Sequence, residues 1–439
     1  MNTYPLRIAL IASLGGFLFG FDTAVISGAE QAIQQLWNLD GFVHGFTIAS
    51  GLIGTVAGAM IAGIPAQKYG RKKVLVVIGI LFLLAAVGCA LTHVWILFVL
   101  GRMAGGVAVG ASSVVGPTYI AEISPADKRG RLVATFQLNI VLGILIAFLS
   151  NYLLVGLGDN AWRWMLGVQA FPALVYILLL NQIPESPRWL IIQGRHEEAK
   201  KIFERTGEKD ITKEMNDILQ SLHTGKSESV FSKKFRKPVI FAVLLAMFNQ
   251  LSGINAILYF APRIFEMAGV PAGAVAFQQA IYVGAANVIF TLIAMSVIDK
   301  FGRKTLLIIG SAGMVVFLGL TAYVFGSGTG GEFVKWLLVG FIAFFAFSQG
   351  AVIWVFISEI FPNSVRSQGQ ALGSSTHWIM DVIITWTFPV IVSASSSGGY
   401  YSFVFYTVMM LLCLLFAWKV LPETKGRSLE DIQKDLGIE

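Results

Sequence analysis

The chain has 439 residues, of which 56% are hydrophobic and only 13% charged, whereas soluble domains carry about 25% charged residues. That balance excludes an ordinary water-soluble enzyme or binding module. The formal net charge is +7, but the distribution of the cations along the chain speaks for membrane topology and against a nucleic-acid partner.

The first apolar stretch, near 8–36, is longer than the roughly 20 residues that cross a bilayer and carries Asp22 near its middle. A carboxylate at that depth costs at least about 2.5–3.5 kcal/mol, so it faces a bundle interior and has a function there. The stretch is too long for a cleavable signal peptide and has no small-residue cleavage site. Apolar runs then recur near 45–66, 74–92, 95–121, 131–155, 163–183, 238–266, 273–298, 305–326, 335–361, 367–393 and 400–421. Runs this long and continuous read as helices, whose backbone bonds close internally. Arg102, in the fourth run, is the opposite charge available to Asp22, and the two suggest a switchable ion pair. Gly101, Gly105, Gly106 and Gly110 in the same run have the spacing of close helix packing, not of a phosphate loop.

Cations cluster in alternate loops. Lys68, Arg71, Lys72 and Lys73 follow the second run, Lys128, Arg129 and Arg131 the fourth, Lys300, Arg303 and Lys304 the eighth, Arg366 the tenth, and Lys425 and Arg427 the twelfth. The opposite loops hold only a few, such as Arg163, Arg263 and Lys335. By the positive-inside rule both termini are cytoplasmic. Cys89 and Cys413, the two cysteines, lie in apolar runs, which argues against a disulfide framework. The polar stretch between the sixth and seventh runs places Ile211, Met215, Ile218 and Leu222 at helical spacing, as in short amphipathic helices. The expected organisation is a six-helix bundle over 1–183, cytoplasmic linker helices over 184–237, a second six-helix bundle over 238–421 and a cytoplasmic tail over 422–439.

The halves repeat. Gly70-Arg71-Lys72 recurs as Gly302-Arg303-Lys304 after 232 positions, Glu122…Arg129 as Glu359…Arg366 after 237, and Pro184-Glu185 as Pro422-Glu423 after 238. Such offsets indicate internal duplication. Six spans per half make the repeats parallel, an arrangement that places a substrate site near the bilayer midplane.

The motifs resemble the sugar porter family of the major facilitator superfamily across essentially the whole chain. They are GGFLFGFDTAVISG at 15–28, GRKK at 70–73, GR at 101–102, PTYIAEISPADKRG at 117–130, PESPRWL at 184–190, QLSGINAILYFAP at 250–262, DKFGRK at 299–304, SEIFPNSVR at 358–366 and PETKGRSLE at 422–430. The nearest likeness is to bacterial proton-coupled symporters of the xylose and glucose type. The resemblance implies an all-α membrane protein of twelve helices in two pseudo-symmetric bundles. It also implies uptake of a hexose or pentose by proton symport and alternating access, with no cofactor or metal. An uncoupled sugar or polyol uniporter is the alternative, and a transporter-like sugar sensor a more distant one, since sensors carry long cytoplasmic tails. A membrane enzyme finds no support: His44, His93, His196, His223 and His377 are scattered, with no Ser-His or Cys-His pairing and no Walker-type loop. The implied partners are a monosaccharide, a proton and the lipid bilayer, in a cell membrane that is the bacterial inner membrane by resemblance, with a monomer as the default.

Sugar hydroxyls both donate and accept, so their site needs amides and an aromatic wall. Gln137, Asn249, Gln250, Asn255 and Asn287 are polar amides in apolar runs. Amides there also bond between helices with no ligand involved, and the residues alone leave both readings open. By resemblance Gln137, Gln250, Asn255 and Asn287 match sugar-binding amides, Trp354 and Trp378 match pocket tryptophans, and Phe19 and Tyr259 match covering aromatics. The chain also departs from the pattern. Asn249 stands for a second Gln, Ala351 for a Pro that breaks the tenth helix, and Ile144 for a Gln of the xylose symporters. His377 stands for the Gln or Asn before Trp378, and Asp381 replaces an Asn. Asp381 could bind sugar, titrate, or face the cytoplasmic vestibule. Arg71, Glu122, Arg129, Glu185, Arg303, Glu359, Arg366 and Glu423 terminate helices at the cytoplasmic side, and by resemblance form a gate that latches the halves. Gln67 weakens one part of that pattern, while Asp299 keeps its acid in the second half.

The orientation is checked by a single cysteine introduced near Glu208. It is expected to react with an impermeant thiol reagent only after the cells are opened, and labelling of intact cells would invert the topology.

Overall fold

The structure is a computed structural model that describes residues 3–125, 127–221, 228–362 and 364–425. Among them, twelve helices are long and apolar enough to cross a membrane: Tyr4–Leu36, Gly41–Ile61, Arg71–Leu91, Trp95–Ile123, Arg129–Leu154, Ala161–Leu180, Lys233–Tyr259, Ala274–Ile298, Arg303–Ser327, Gly331–Ile360, Arg366–Ala394 and Gly398–Lys419. They are numbered here as spans one to twelve. The expected all-α, twelve-span architecture is present, and the protein is a multi-pass membrane protein.

Three stretches end or break where hydropathy gives no sign of it. The second span stops at Ile61, and a separate short helix, Gly63–Tyr69, carries the chain to Gly70. The seventh is broken: helix Arg236–Leu251 gives way to Ile254–Tyr259 and then to Ala261–Met267. Gly253 makes the break with φ of +81°, where a Cβ would lie 2.4 Å from the Tyr406 ring, so only glycine supplies both the left-handed turn and the close approach. The tenth divides at Ser348 into Val334–Phe347 and Gln349–Ile360. That division persists although Ala351 stands where the resemblance leads one to look for proline. Ser348 Oγ donates to Phe344 O at 2.6 Å, and it occupies the space that a Cβ on Gly310 would fill.

The expected linker helices are Pro187–Ile192, His196–Thr206 and Ile211–Ser221. Leu190, Ile191, Ala199, Phe203 and Ile218 form their buried core, with Ile211 and Met215 packed against it. Leu222 and Arg427 lie outside the described residues.

By contact the chain forms two compact units. One comprises Met1–Thr23, Ser50–Ala147 and Arg163–Lys226, and the other Ala24–Ala49, Phe148–Trp162 and Ser227–Glu439. In the first, spans two and four meet through glycines. A Cβ on Gly106 would stand 1.7 Å from Gly51 O, one on Gly110 2.0 Å from Thr55 O, and one on Gly58 2.2 Å from Val107 O. Lipid tails give helices no hydrophobic reason to associate, so backbone approach through small residues supplies the packing. Tyr119, Tyr176, Phe82 and Phe98 fill the interior of this unit, and Phe356, Phe361 and Phe235 that of the second.

Gly106→Ala is therefore expected to lower stability by about 1–3 kcal/mol, the cost of overpacking. Gly88→Ala, with open space around its Cβ, serves as the matched control. Thermal unfolding in detergent reads the difference, and equal melting of the two variants would refute the backbone contact.

Candidate functional site

Span one carries Asp22 and span four Arg102. Arg102 Nη1 donates to Asp22 Oδ1 at 3.0 Å, with side-chain exposures of 4% and 8%. Both expected partners thus meet, deep in the first unit. Glycines make the room: a Cβ on Gly51 would reach 3.0 Å from Arg102 Nη2, and one on Gly105 3.7 Å from Asp22 Oδ1.

In the second unit three of the candidate amides, Asn249, Gln250 and Asn255, form one connected chain. Asn249 Nδ2 donates to Gln349 O at 3.4 Å, and Gln250 Nε2 to Asn249 Oδ1 at 3.4 Å. Asn255 Nδ2 donates to Gln250 Oε1 at 2.9 Å. Gln250 Nε2 also lies 2.9 Å from His377 Nε2. The His377 ring stands between two tryptophans, its centroid 5.0 Å from Trp354 and 5.0 Å from Trp378. Asn249, Gln250 and Trp378 are buried, while Trp354 retains 37% exposure. The break at Gly253 brings this about, because it turns Asn255 back toward Gln250 across a non-helical joint. Asn287 and Tyr259 are buried in spans eight and seven, and Asn287 has no hydrogen bond among the described residues. Gln137 and Phe19, in the first unit, are half-buried. Amides, an imidazole and indole faces together match what a polyhydroxylated ring with an apolar face requires.

The charges at the ends of spans two, four, eight and ten repeat almost bond for bond. Arg71 Nε and Nη2 donate to Glu122 at 2.9 Å each, and Arg303 Nη2 donates to Glu359 at 2.9 Å. Ser186 Oγ donates to Glu122 at 2.6 Å and Thr424 Oγ1 to Glu359 at 2.6 Å. Glu185 accepts the Arg71 and Lys72 backbone N–H groups at 2.9 and 3.0 Å, and Glu423 accepts those of Arg303 and Lys304 at 2.9 and 3.1 Å. Each carboxylate thus caps the exposed N–H groups at a helix start. Gly70 and Gly302, with φ of +97° and +88°, leave room for it. Burial raises the Glu423 pKa, but the N–H groups of Lys425, Arg303, Thr424 and Lys304 outweigh that and hold it below the ordinary carboxylate value. Arg129 binds Ala121 O at 3.0 Å and Glu214 at 3.2 Å. Arg366 buries its Nε without a hydrogen bond among the described residues. These partners all belong to the same half of the chain, the linker included.

Comparison with known proteins decides the family. The model of the family "Sugar (and other) transporter" matches residues 8–436. The chain is 38% identical to the arabinose-proton symporter of Bacillus subtilis, over 98% of this chain and 95% of that protein. It is 35% identical to the D-xylose-proton symporter of Escherichia coli, over 98% and 96%. Among solved structures, the inward-open xylose transporter of E. coli superposes with a TM-score of 0.88 at 34% identity, covering 98% of this chain and 99% of that one. The protein belongs to the sugar transporter family.

One buried cluster of this transporter escapes the sequence reading, which left Arg263 as a loop cation and His44 among scattered histidines. Glu30, at the end of the first span, accepts from Arg263 Nε at 2.9 Å and Nη2 at 2.7 Å. It also lies 2.8 Å from His44 Nε2. Arg263 reaches Gln34 as well, at 2.6 Å, and Glu30 and His44 are fully buried. The signal was available: Glu30 is a second carboxylate in the apolar stretch that holds Asp22, and the same desolvation argument applies to it. Removing one partner of such a pair strands a buried charge, at about 3–5 kcal/mol. Arg263→Ala should therefore cost that much in detergent unfolding, and Glu30→Gln on the same background should restore most of it. Additive losses in the double variant would show that the ions do not depend on each other.

Proposed function

We propose that this chain is a secondary active transporter that takes up a monosaccharide, a hexose or pentose, by proton symport with alternating access. It works in a cell membrane, the bacterial inner membrane by analogy with its relatives, as a monomer with both termini cytoplasmic. The bundles are 1–183 and 238–421, with the linker between them. Its relatives of known name carry arabinose or xylose with protons, and the observation that carries the coupled reading here is the buried Asp22–Arg102 pair at 3.0 Å.

In this reading Asp22 takes a proton when parted from Arg102 and gives it up when the pair re-forms. Asn249, Gln250, Asn255, Asn287, His377, Trp354, Trp378 and Tyr259 hold the sugar. Gln137 and Phe19 take the roles that the family resemblance gives them. Arg71, Glu122, Arg129, Glu185, Arg303, Glu359, Arg366 and Glu423 hold the cytoplasmic ends in place and bias the conformational equilibrium toward the state in which they are paired. One coupled charge supplies about 2.3 kcal/mol per 100 mV, which is about fiftyfold accumulation.

The test is counterflow in proteoliposomes with labelled D-xylose, L-arabinose, D-glucose, D-galactose and D-fructose, followed by uptake under an imposed pH gradient and potential. Wild type is expected to accumulate at least one sugar uphill. Asp22→Asn should keep counterflow and lose accumulation. Gln250→Ala should weaken binding by about 1–3 kcal/mol, the cost of leaving buried partners unmade. Full accumulation by Asp22→Asn would place the proton on another group.

A further inference from the structure

The cluster of Glu30, His44 and Arg263 has no part in the function proposed above. The Glu30 and His44 side chains have no exposure at all, while that of Arg263 keeps 19%. Glu30 holds Arg263 on one side by two bonds of 2.9 and 2.7 Å, and His44 Nε2 on the other at 2.8 Å. The other acids on these segments have partners of their own. Glu266 accepts from Gln31 Nε2 at 2.9 Å, and Asp40 accepts the Val43 N–H at 2.8 Å. Phe260 covers the His44 ring edge-on, and Phe388 of span eleven lies against Phe260. One carboxylate, one guanidinium and one imidazole are thus enclosed together at the joined ends of spans one and two.

The bonding fixes where the hydrogen sits on the imidazole. Glu30 only accepts, so His44 Nε2 carries the hydrogen and Nδ1 presents a lone pair. Nδ1 is buried with no hydrogen bond among the described residues. A proton placed there would have no acceptor, and with Glu30 and Arg263 already cancelling it would be a buried excess charge. Arg263 is the member free to leave. It sits on the short helix Ala261–Met267, set off from the rest of span seven by the non-helical Phe260, with φ of −123°, and by the break at Gly253. Glu30 and His44 stand on the long helices Tyr4–Leu36 and Gly41–Ile61. Once the guanidinium withdraws, Glu30 needs another counter-charge in apolar surroundings. The bonded imidazole is the group in place to supply it.

We propose that Glu30 and His44 form a second proton site, filled when Arg263 swings away and emptied when it returns. The proposal rests on the reading of the chain as an alternating-access carrier. On opening, the bonds between Glu30 and Arg263 break, and one proton from the water on that side adds to His44 Nδ1. His44 Nε2 keeps its bond to Glu30 throughout. On closing, Arg263 displaces the proton, which returns to the same water. Acid on the side where spans one and two join, the outside in the proposed topology, therefore favours opening to that side.

The experiment places spin labels at Gln35 and Ala272, both exposed, near the end of span one and beyond the Arg263 segment. Pulsed dipolar spectroscopy on the full chain in proteoliposomes reads their separation between pH 8 and pH 5. The Asp22→Asn background takes the Asp22 proton out of the measurement. On that background the ratio of open to closed carrier is expected to rise with acid, approaching tenfold per pH unit for one proton. Adding His44→Gln should flatten this profile. Glu30→Gln, which removes the charge to be balanced, should raise the open fraction and flatten the profile as well, and it keeps the test open if His44→Gln does not fold. A merely structural cluster would change the open fraction by the same factor at every pH and keep the slope, which overturns the proposal. A flat profile in Asp22→Asn alone overturns it too. If neither pH nor any of the five sugars above moves the labels in wild type, the carrier reading falls as well. If a sugar moves them and pH does not, the carrier stands and the second proton site is refuted.

Discussion

Charge removed from water is the constraint that organises this protein. A bilayer offers a carboxylate or guanidinium no solvent, so each must find a partner inside the protein. Asp22 has Arg102, and Glu30 has Arg263 and His44. Arg71 and Arg303 have Glu122 and Glu359. Buried pairs of this kind add little net stability, because the desolvation of both ions offsets their attraction, yet breaking one is expensive. That asymmetry suits a carrier.

Close backbone packing is what lets the pairs exist. Arg102 reaches Asp22 because Gly51 and Gly105 leave space around both groups, and Gly106 holds the fourth span against the second one turn away from the guanidinium. A side chain at Gly106 would run into the Gly51 carbonyl, 1.7 Å from its Cβ, and force the two helices apart. The glycines that look like generic packing in the fourth apolar run therefore also set the electrostatic distance.

The twelve spans, the repeat of the charged loops and the Asp22–Arg102 pair are legible in the sequence because long apolar runs, clustered charges between them and a charge within one each stand out in composition. Partner choice is less legible. Glu122 and Glu359 read as gate residues, but nothing in their spacing says that Arg71 and Arg303, in their own halves, bind them. The breaks at Gly253 and Ser348 are also invisible to hydropathy, since the apolar run continues through both. Gly253 lies in a run that reads as helix from 238 to 266, and only the Tyr406 ring packed against it shows why no side chain fits. Asn249, Gln250 and Asn255 are legible as polar residues in an apolar run, but their bonds to one another are not, because the contact of Asn255 with Gln250 depends on the break at Gly253.

The two halves of the chain show what duplication preserves and what it frees. At the helix ends that carry the repeated loop motifs the repeat is kept in detail: a glycine at positive φ, a carboxylate on the next helix start, an arginine to a second carboxylate, and a hydroxyl to the same carboxylate. Arg71 and Arg303 even return a guanidinium N–H to the carbonyl five residues earlier, Ala66 O and Ile298 O, at 3.0 and 3.3 Å. At membrane depth the correspondence ends. The first half carries Asp22 and Arg102 in contact, whereas the second carries the amides Asn249, Gln250 and Asn255 beside His377. Duplication thus keeps the bonds that start and hold the helix ends, and leaves the side chains at membrane depth free to diverge.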